Sequence, residues 1–116
     1  MTELDTIEEE LKQGWTNKDH RDYLLYLATV KARINELKAK AESEYLDALE
    51  ELKESGKTEG LKQYEYKELL SVYLKKETLL KYRLDRISST IEHQAVSLRS
   101  ILFLTGQEMR LTGEVF

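Results

Sequence analysis

The sequence lacks cysteine and proline altogether, and only 5 of its 116 residues are glycine. Without cysteine the chain has no disulfides, thiolate metal ligands or cysteine nucleophiles, which fits a reducing compartment. Without proline, little interrupts a helix. No apolar run approaches the roughly 18 residues of a membrane span, and no basic-then-apolar leader opens the chain. We therefore expect a soluble, helical, cytoplasmic protein with no membrane segment.

Composition limits the number of domains and the kind of partner. Hydrophobic residues make up 41% of the chain and charged residues 34%, with a formal net charge of -4. A chain of this length accommodates one core, so residues 1–116 are predicted to form a single helical domain. The net negative charge disfavours wholesale coating of nucleic acid, although it leaves room for a local basic patch.

Local signals divide the chain into three helices. Acidic residues crowd the start of the first helical segment, as the helix dipole favours, and Gly56 is placed as a left-handed helix terminator between two long segments. A short turn makes these long helices antiparallel neighbours. The predicted elements are a short helix at about 3–13, a long helix at about 17–55, a turn at 56–60, a long helix at about 61–105 and a tail at 106–116.

Both long segments carry apolar residues at alternating spacings of three and four, the pattern of a coiled-coil seam. Glu77 and Gln94 are the two polar interruptions of the second stripe. The fold prediction is therefore all-α: a long antiparallel, coiled-coil-like helical hairpin with a short N-terminal helix. The first stripe consists of Leu27, Val30, Ile34, Leu37, Ala41, Tyr45, Ala48 and Leu52, and the second of Tyr66, Leu70, Tyr73, Leu80, Leu84, Ile87, Ile91, Leu98 and Ile101.

The turn also predicts which residues face each other. A chain closed at residues 57 and 58 pairs positions whose numbers sum to about 115, which sets Ile34 beside Leu80. Apolar residues from Leu98 onward then extend beyond the first long helix, and either the short helix folds back over them or a second copy covers them. Apolar surface wider than a two-stranded seam favours self-association into an oligomeric bundle. The oligomer or packing candidates are Trp15, Leu98, Ile101 and Leu102.

Catalytic motifs are absent from the sequence. There is no glycine-rich phosphate loop, no Gly-x-Ser-x-Gly and no His-Glu-x-x-His, so no enzymatic activity, cofactor or metal site is predicted. His20 and His93 reach a similar level in the hairpin and could hold a divalent ion with nearby carboxylates, but pairing of His20 with the Gln94 amide is favoured. Glu77 is expected to fix the register by an ion pair with Lys38 rather than to act as a general base.

Charge order along the chain is its most informative feature. Residues 31–40 and 75–86 each carry a net charge of +3, and the predicted hairpin sets them side by side as a basic belt between acidic regions at 1–20 and 41–70. Cations interleaved with aromatics can hold phosphates and stack bases. The alternatives are a solvated face or a contact with an acidic surface of a second copy. The candidate partner- or anion-binding residues are Lys31, Arg33, Lys38, Lys75, Lys76, Lys81, Arg83, Arg86 and Tyr82.

Tyrosine accounts for seven of the ten aromatic residues. Tyrosine suits interfaces, because its ring is apolar and its hydroxyl polar. Tyr45, Tyr66 and Tyr73 are assigned to the core of the seam. The tyrosines that fit the seam poorly are predicted to face a partner: Tyr23, Tyr64 and Tyr82.

The segment from Arg83 to Arg110 contains Gln94, Leu98, Arg99 and Ser100 in the order Q-x-x-x-L-R-S. This segment and the hairpin layout resemble small all-helical hairpin proteins encoded by bacteriophages and prophages, often near recombination or replication genes. The resemblance implies a phage or mobile-element accessory protein without enzymatic activity, acting in the host cytoplasm.

The leading functional prediction is a non-enzymatic interaction protein that binds a protein partner through its helical surface. The alternative is a binder of nucleic acid or of a small anionic nucleotide through the basic belt. A homo-oligomer is expected with either function.

Overall fold

The structure is a computed structural model that describes the backbone of residues 2–16 and 18–111, with side chains as far as Gly106. Within these ranges there is no strand, and the all-α prediction is confirmed. Asn17, at the predicted start of the first long helix, and the part of the predicted tail beyond Leu111 lie outside the described residues. The helices are α1 (Glu3–Gln13), α2 (His20–Glu54), α3 (Gln63–Tyr73) and α4 (Lys75–Leu111).

Helix α1 begins where the sequence supplies a capping box. The Thr2 hydroxyl accepts a hydrogen bond from the Asp5 backbone N–H (3.2 Å), and the Asp5 carboxylate accepts one from the Thr2 N–H (3.1 Å). Each side chain thereby satisfies a backbone N–H of the other residue. The helix ends before Gly14, whose φ of +67° favours glycine. The bounds predicted for this helix are confirmed.

Helix α2 begins three residues later than predicted, because Asp19 caps it. The Asp19 carboxylate accepts hydrogen bonds from the backbone N–H groups of Arg21 (2.9 Å) and Asp22 (3.0 Å), which have no partner within the helix. The helix ends at Glu54. Gly56 then adopts a φ of +78°, which confirms it as the left-handed residue after the helix.

The second long helix is interrupted, contrary to the prediction of one helix at about 61–105. Leu74 separates α3 from α4 with φ -110° and ψ 21°. The break places Leu74 in the core at 3% exposure, whereas Tyr73, the predicted seam residue, is 50% exposed. Burying a leucine side chain contributes about 1.5–3 kcal/mol, which offsets the loss of helical geometry at one residue. Helix α4 then continues to Leu111, into the predicted tail.

The described residues form two compact units. Unit 1 combines the described parts of 1–32 and 87–116, and unit 2 is 33–86. Helices α2 and α4 contact each other within each unit, so the hairpin prediction is confirmed, while the single domain stays a prediction. The buried residues of unit 1 are Ile7, Leu11, Tyr23, Leu27, Val30, Ile87, Ile91, Ala95 and Leu98, and those of unit 2 are Ile34, Ala41, Leu52, Leu74 and Leu84.

Ion pairs between α2 and α4 show that the predicted register is wrong by about two helical turns. Lys31 pairs with Glu92 in unit 1 (3.7 Å), and Lys38 pairs with Asp85 in unit 2 (3.1 Å). The residue numbers of each pair sum to 123 rather than 115, so Ile34 and Leu80 are not opposite each other. The prediction assumed two continuous helices joined by a tight turn. The structure has eight residues between α2 and α3 and a break at Leu74.

Helix α1 is the third helix of unit 1. The Gln94 side-chain amide donates a hydrogen bond to the Leu11 carbonyl (2.8 Å), and the Tyr26 hydroxyl donates one to the Glu10 carboxylate. Of the two alternatives predicted for the apolar surface at this end, the folded-back α1 is therefore present in the structure. Ile7 and Leu11 are its buried residues.

Candidate interaction surface

A groove lies between α2 and α4 in unit 1. It encloses about 260 Å³. Its residues recur on each helix at spacings of three and four, so each set lies along one side of its helix. The lining residues are Leu24, Leu27, Ala28 and Lys31 of α2, and Ile91, Glu92, Ala95, Val96 and Arg99 of α4.

Small residues open this groove. Ala28 and Ala95 face each other in the register of the ion pairs, and neither side chain is large enough to fill the space between the helices. Leu27 and Ile91 are buried and form its apolar floor. Helix α1 contacts Tyr26 of α2 and Gln94 of α4, and neither of these residues lines the groove. No residue of α1 is among the lining residues.

The same two helices expose large apolar side chains. Val96 lines the groove and is 59% exposed, Leu25 is 71% exposed and Phe103, one helical turn beyond Arg99, is 65% exposed. Leu25 and Phe103 do not line the groove, and single exposed apolar residues are ordinary on protein surfaces. An exposed apolar residue at the edge of a concave apolar site, as Val96 is, is typical of binding surfaces.

Charged groups frame the groove. The Lys31 ammonium and the Glu92 carboxylate form an ion pair across it, with about half of each side chain exposed. Arg99, two helical turns after Glu92, is exposed and has no carboxylate within 4.0 Å among the described residues. The groove therefore presents an apolar floor and a cation, Arg99, that has no carboxylate partner among the described residues.

The basic belt is largely engaged in ion pairs within the chain. Lys31 and Lys38 pair across the helices as described above, Arg33 pairs with Glu36 (3.0 Å) and Lys81 pairs with Glu42 (2.8 Å). The hydrogen bond to Glu42 raises the pKa of Lys81, and its ammonium also lies 4.4 Å from the centre of the Tyr45 ring. The predicted belt is thus locally neutralised at four of its cations.

The other belt residues lie on α4 in unit 2. Lys75, Lys76 and Tyr82 are exposed. Arg83 is half-buried and Arg86 exposed, and each already interacts with a neighbouring group.

Glu77 does not pair with Lys38, contrary to prediction. Lys38 binds Asp85 instead, because the true register places Asp85 opposite it. One carboxylate oxygen of Glu77 is buried and has no hydrogen-bond partner among the described residues. Such an oxygen lowers the free energy of unfolding, because burial removes its hydrogen bonds to water and no hydrogen bond within the protein replaces them.

Tyr23 belongs to the core rather than to a partner surface, contrary to prediction. Its ring is buried, and its hydroxyl donates a hydrogen bond to the Gln94 side-chain carbonyl (2.7 Å). Gln94 therefore pairs with Tyr23 and Leu11, and the expected pairing with His20 is wrong. Tyr64 and Tyr82 are exposed, as a partner-surface role requires.

A second concave site of about 390 Å³ lies between α1 and the start of α2. Tyr26 contributes to it, and burial together with its hydrogen bond to Glu10 raises the pKa of this tyrosine. Burial also raises the pKa of Tyr23. The Lys18 ammonium lies 5.0 Å from the centre of the Tyr23 ring, so the chain's own cation covers this aromatic surface. The lining residues are Glu10, Lys18, Asp19, Asp22, Tyr23 and Tyr26.

The packing candidates are all in unit 1. Leu98 is completely buried, and Ile101 and Leu102 are half-buried. Trp15 is also half-buried, with its ring 6.5 Å from that of Tyr23. Three of the four candidates, Trp15, Ile101 and Leu102, are therefore partly exposed to solvent.

Sequence reasoning missed the groove itself. Ala28 and Ala95 are small residues on the inner sides of two helices, and that signal was visible in the sequence. The wrong register, however, separated them by about two turns, so their shared level could not be recognised.

The described residues contain no group of three or more His, Cys, Asp or Glu side chains arranged to hold a metal ion. Over the same part of the chain, no helix combines the length and apolar character needed to cross a membrane.

Comparison with known proteins gives no match: neither a protein-family model nor a curated protein nor a solved structure is similar to this chain.

Proposed function

We propose that the chain is a non-enzymatic interaction protein that binds a protein partner through the α2–α4 groove of unit 1. The observation that carries the proposal is the apolar groove with exposed Val96 at its edge. Covering such a surface with a partner removes apolar area from water, which contributes roughly 25 cal/mol per Å².

The chemistry of the groove suits a helical segment as the bound group. An apolar floor two helical turns long receives apolar side chains that recur at spacings of three and four on a helical partner. Lys31, Glu92 and Arg99 at its edges provide polar contacts of both signs, which select the orientation of the bound helix.

An anion or nucleic-acid interface has less support. Phosphate binding requires cations that are free to neutralise phosphates, and four cations of the belt already have carboxylate partners within 4.0 Å. Lys75 and Lys76 with exposed Tyr82 keep this alternative as a prediction. Phage origin and cytoplasmic location also stay predictions.

A matched pair of substitutions on α2 tests the proposed function. Ala28 lines the groove, whereas its neighbour Thr29 is exposed outside it. Each is changed to glutamate, and proteins captured from an extract of the native cells are quantified by mass spectrometry against the wild type.

Ala28→Glu should reduce capture of a specific partner by about tenfold or more, because it places a bulky charge among the residues that line the groove. Thr29→Glu should capture as the wild type does. Equal capture by both variants, or equal loss, would contradict a role of the groove. Far-UV circular dichroism of both variants checks that the helices remain.

A further inference from the structure

We infer that the groove of unit 1 binds the same groove of a second copy of this chain, around a two-fold axis that crosses the helices at the level of Ala28 and Ala95. The inference rests on the proposed function and names the partner of that site. In this dimer, α4 packs antiparallel against α4 of the second copy, and α2 packs against α2.

Charge complementarity along α4 supports this arrangement. Glu92 and Arg99 both line the groove, two helical turns apart, with Ala95 and Val96 between them. In an antiparallel pair centred between Ala95 and Val96, Glu92 of each copy faces Arg99 of the other. Each Arg99, which lacks a carboxylate among the described residues of its own chain, thereby gains one, and the contact occurs twice by symmetry.

The alternative two-fold axis, parallel to the helices, is less favourable. It sets α2 of one copy against α4 of the other, so that each residue of α2 faces the same α4 position in the second copy as it does in its own chain. Arg99 then faces Leu24 of the second copy, because these residues share a level in the register of the ion pairs. A guanidinium desolvated against leucine without a carboxylate costs stability. In the first arrangement Lys31 faces Leu24 of the second copy, but it keeps Glu92 as its carboxylate partner.

Residue size fits the first arrangement as well. Ala28 and Ala95 lie at the level of the axis, where helices of the two copies approach most closely, and small side chains permit an interhelical distance of about 8–10 Å. Val96 of each copy inserts beside the axis, and its exposed side chain becomes covered. The same contact thus covers the apolar edge and gives Arg99 a carboxylate partner, which it lacks among the described residues of its own chain.

Charge-exchange variants of the full chain test the inference by light scattering over a range of concentrations. The wild type should reach twice the chain mass of 13.6 kDa. Glu92→Arg and Arg99→Glu should each weaken dimerisation by about tenfold or more, because two like-charge contacts replace two opposite ones. Combining both changes restores opposite charges, so the double variant should dimerise within about threefold of the wild type.

Glu42→Arg is the matched control. It removes the Lys81–Glu42 ion pair of unit 2, as Glu92→Arg removes the Lys31–Glu92 pair of unit 1, but Glu42 does not line the groove. This control should keep the wild-type dimerisation constant. A double variant as weak as either single variant would overturn the inference.

Failure of the inference and failure of the proposed function give different results. A wild type that remains at 13.6 kDa, together with loss of capture by Ala28→Glu alone, would overturn self-association and leave a different protein in the groove. Equal capture by Ala28→Glu and Thr29→Glu would overturn the proposed function.

Discussion

Gln94 joins all three helices of unit 1 through one side chain. Its carbonyl accepts a hydrogen bond from the Tyr23 hydroxyl of α2 (2.7 Å), and its amide donates to the Leu11 carbonyl of α1 (2.8 Å). The Leu11 carbonyl also accepts a hydrogen bond from the Gly14 N–H (3.1 Å). The Tyr23 hydroxyl is therefore the group that depends most on Gln94.

Gln94→Leu should lower the free energy of unfolding by about 1–3 kcal/mol, because it leaves the Tyr23 hydroxyl without an acceptor. Tyr23→Phe removes that hydroxyl, so the double variant should lose less stability than the sum of the two single variants. Urea unfolding of the four proteins measures the coupling. Additive losses would show that the two side chains do not depend on each other.

Tyr26 should make stability sensitive to alkaline pH. Burial and the hydrogen bond to Glu10 raise its pKa above the ordinary value of 10, so the folded protein holds the hydroxyl proton more tightly than the unfolded chain does. This contribution to stability is complete below pH 10 and is lost as the pH rises through the folded-state pKa.

The measurement is the free energy of unfolding at neutral pH and at several values above 10. The free energy of unfolding of Tyr26→Phe should decline less steeply with pH over that range than that of the wild type. Tyr64→Phe is the control, because it removes an exposed hydroxyl. If the free energy of unfolding fell equally steeply above pH 10 in the wild type and in Tyr26→Phe, the assignment of this pH dependence to Tyr26 would be contradicted.

Individual side chains show where prediction from sequence stops. The seam correctly assigned Leu27, Ile34 and Leu98 to the core, because aliphatic residues gain only by burial. Tyr23 and Tyr73 were assigned the wrong way round. A tyrosine is stable in either setting if its hydroxyl has a partner, and the partner of Tyr23 lies 71 residues away.

At the scale of elements, the connection after α2 depends on Gly56. Its φ is +78°, a conformation that costs other residues about 1–2 kcal/mol, and no atom lies within 4 Å of the position that a Cβ atom would occupy. Gly106 likewise has open space around it, but it lies within α4 at an ordinary helical φ. The two glycines therefore differ in backbone conformation and not in available room.

Gly56→Ala should lower the free energy of unfolding by about 1 kcal/mol because of backbone strain. Gly106→Ala should leave it unchanged or raise it by up to about 1 kcal/mol, because alanine favours a helix. Urea unfolding followed by circular dichroism compares them. Shifts of the same sign and size would contradict the backbone explanation.

The end of α2 was predictable because a local group, Gly56, determines it, whereas the Asp19 cap that starts the same helix was missed. The break at Leu74 carries neither proline nor glycine, so no local signal announces it. It results from the choice between burying Leu74 and burying Tyr73, which depends on the surrounding core. The register error followed from this break and from the longer connection, and it hid the groove.

At the scale of the whole molecule, hydrophobic residues make up 41% of the chain, and many of them are not buried in the described cores. The exposed side chains of Leu25, Val96 and Phe103 all lie on helices that form the groove of unit 1. The sequence predicted an uncovered apolar surface but placed the functional residues in the basic belt. Four cations of the belt form ion pairs within the chain, and of the exposed apolar side chains Val96 lines the groove, beside Ala28 and Ala95.

Disulfide trapping is the most direct test of self-association through the groove, because the chain contains no cysteine of its own. Val96→Cys places one thiol in the groove beside the two-fold axis, and Ser97→Cys places one on the next, exposed residue outside the groove. Both variants are oxidised under mild conditions and separated without reductant. We expect Val96→Cys to form a covalent dimer at least about tenfold faster than Ser97→Cys does, because two thiols must approach closely to form a disulfide. Equal rates for the two variants, or no dimer from Val96→Cys, would contradict self-association through this groove.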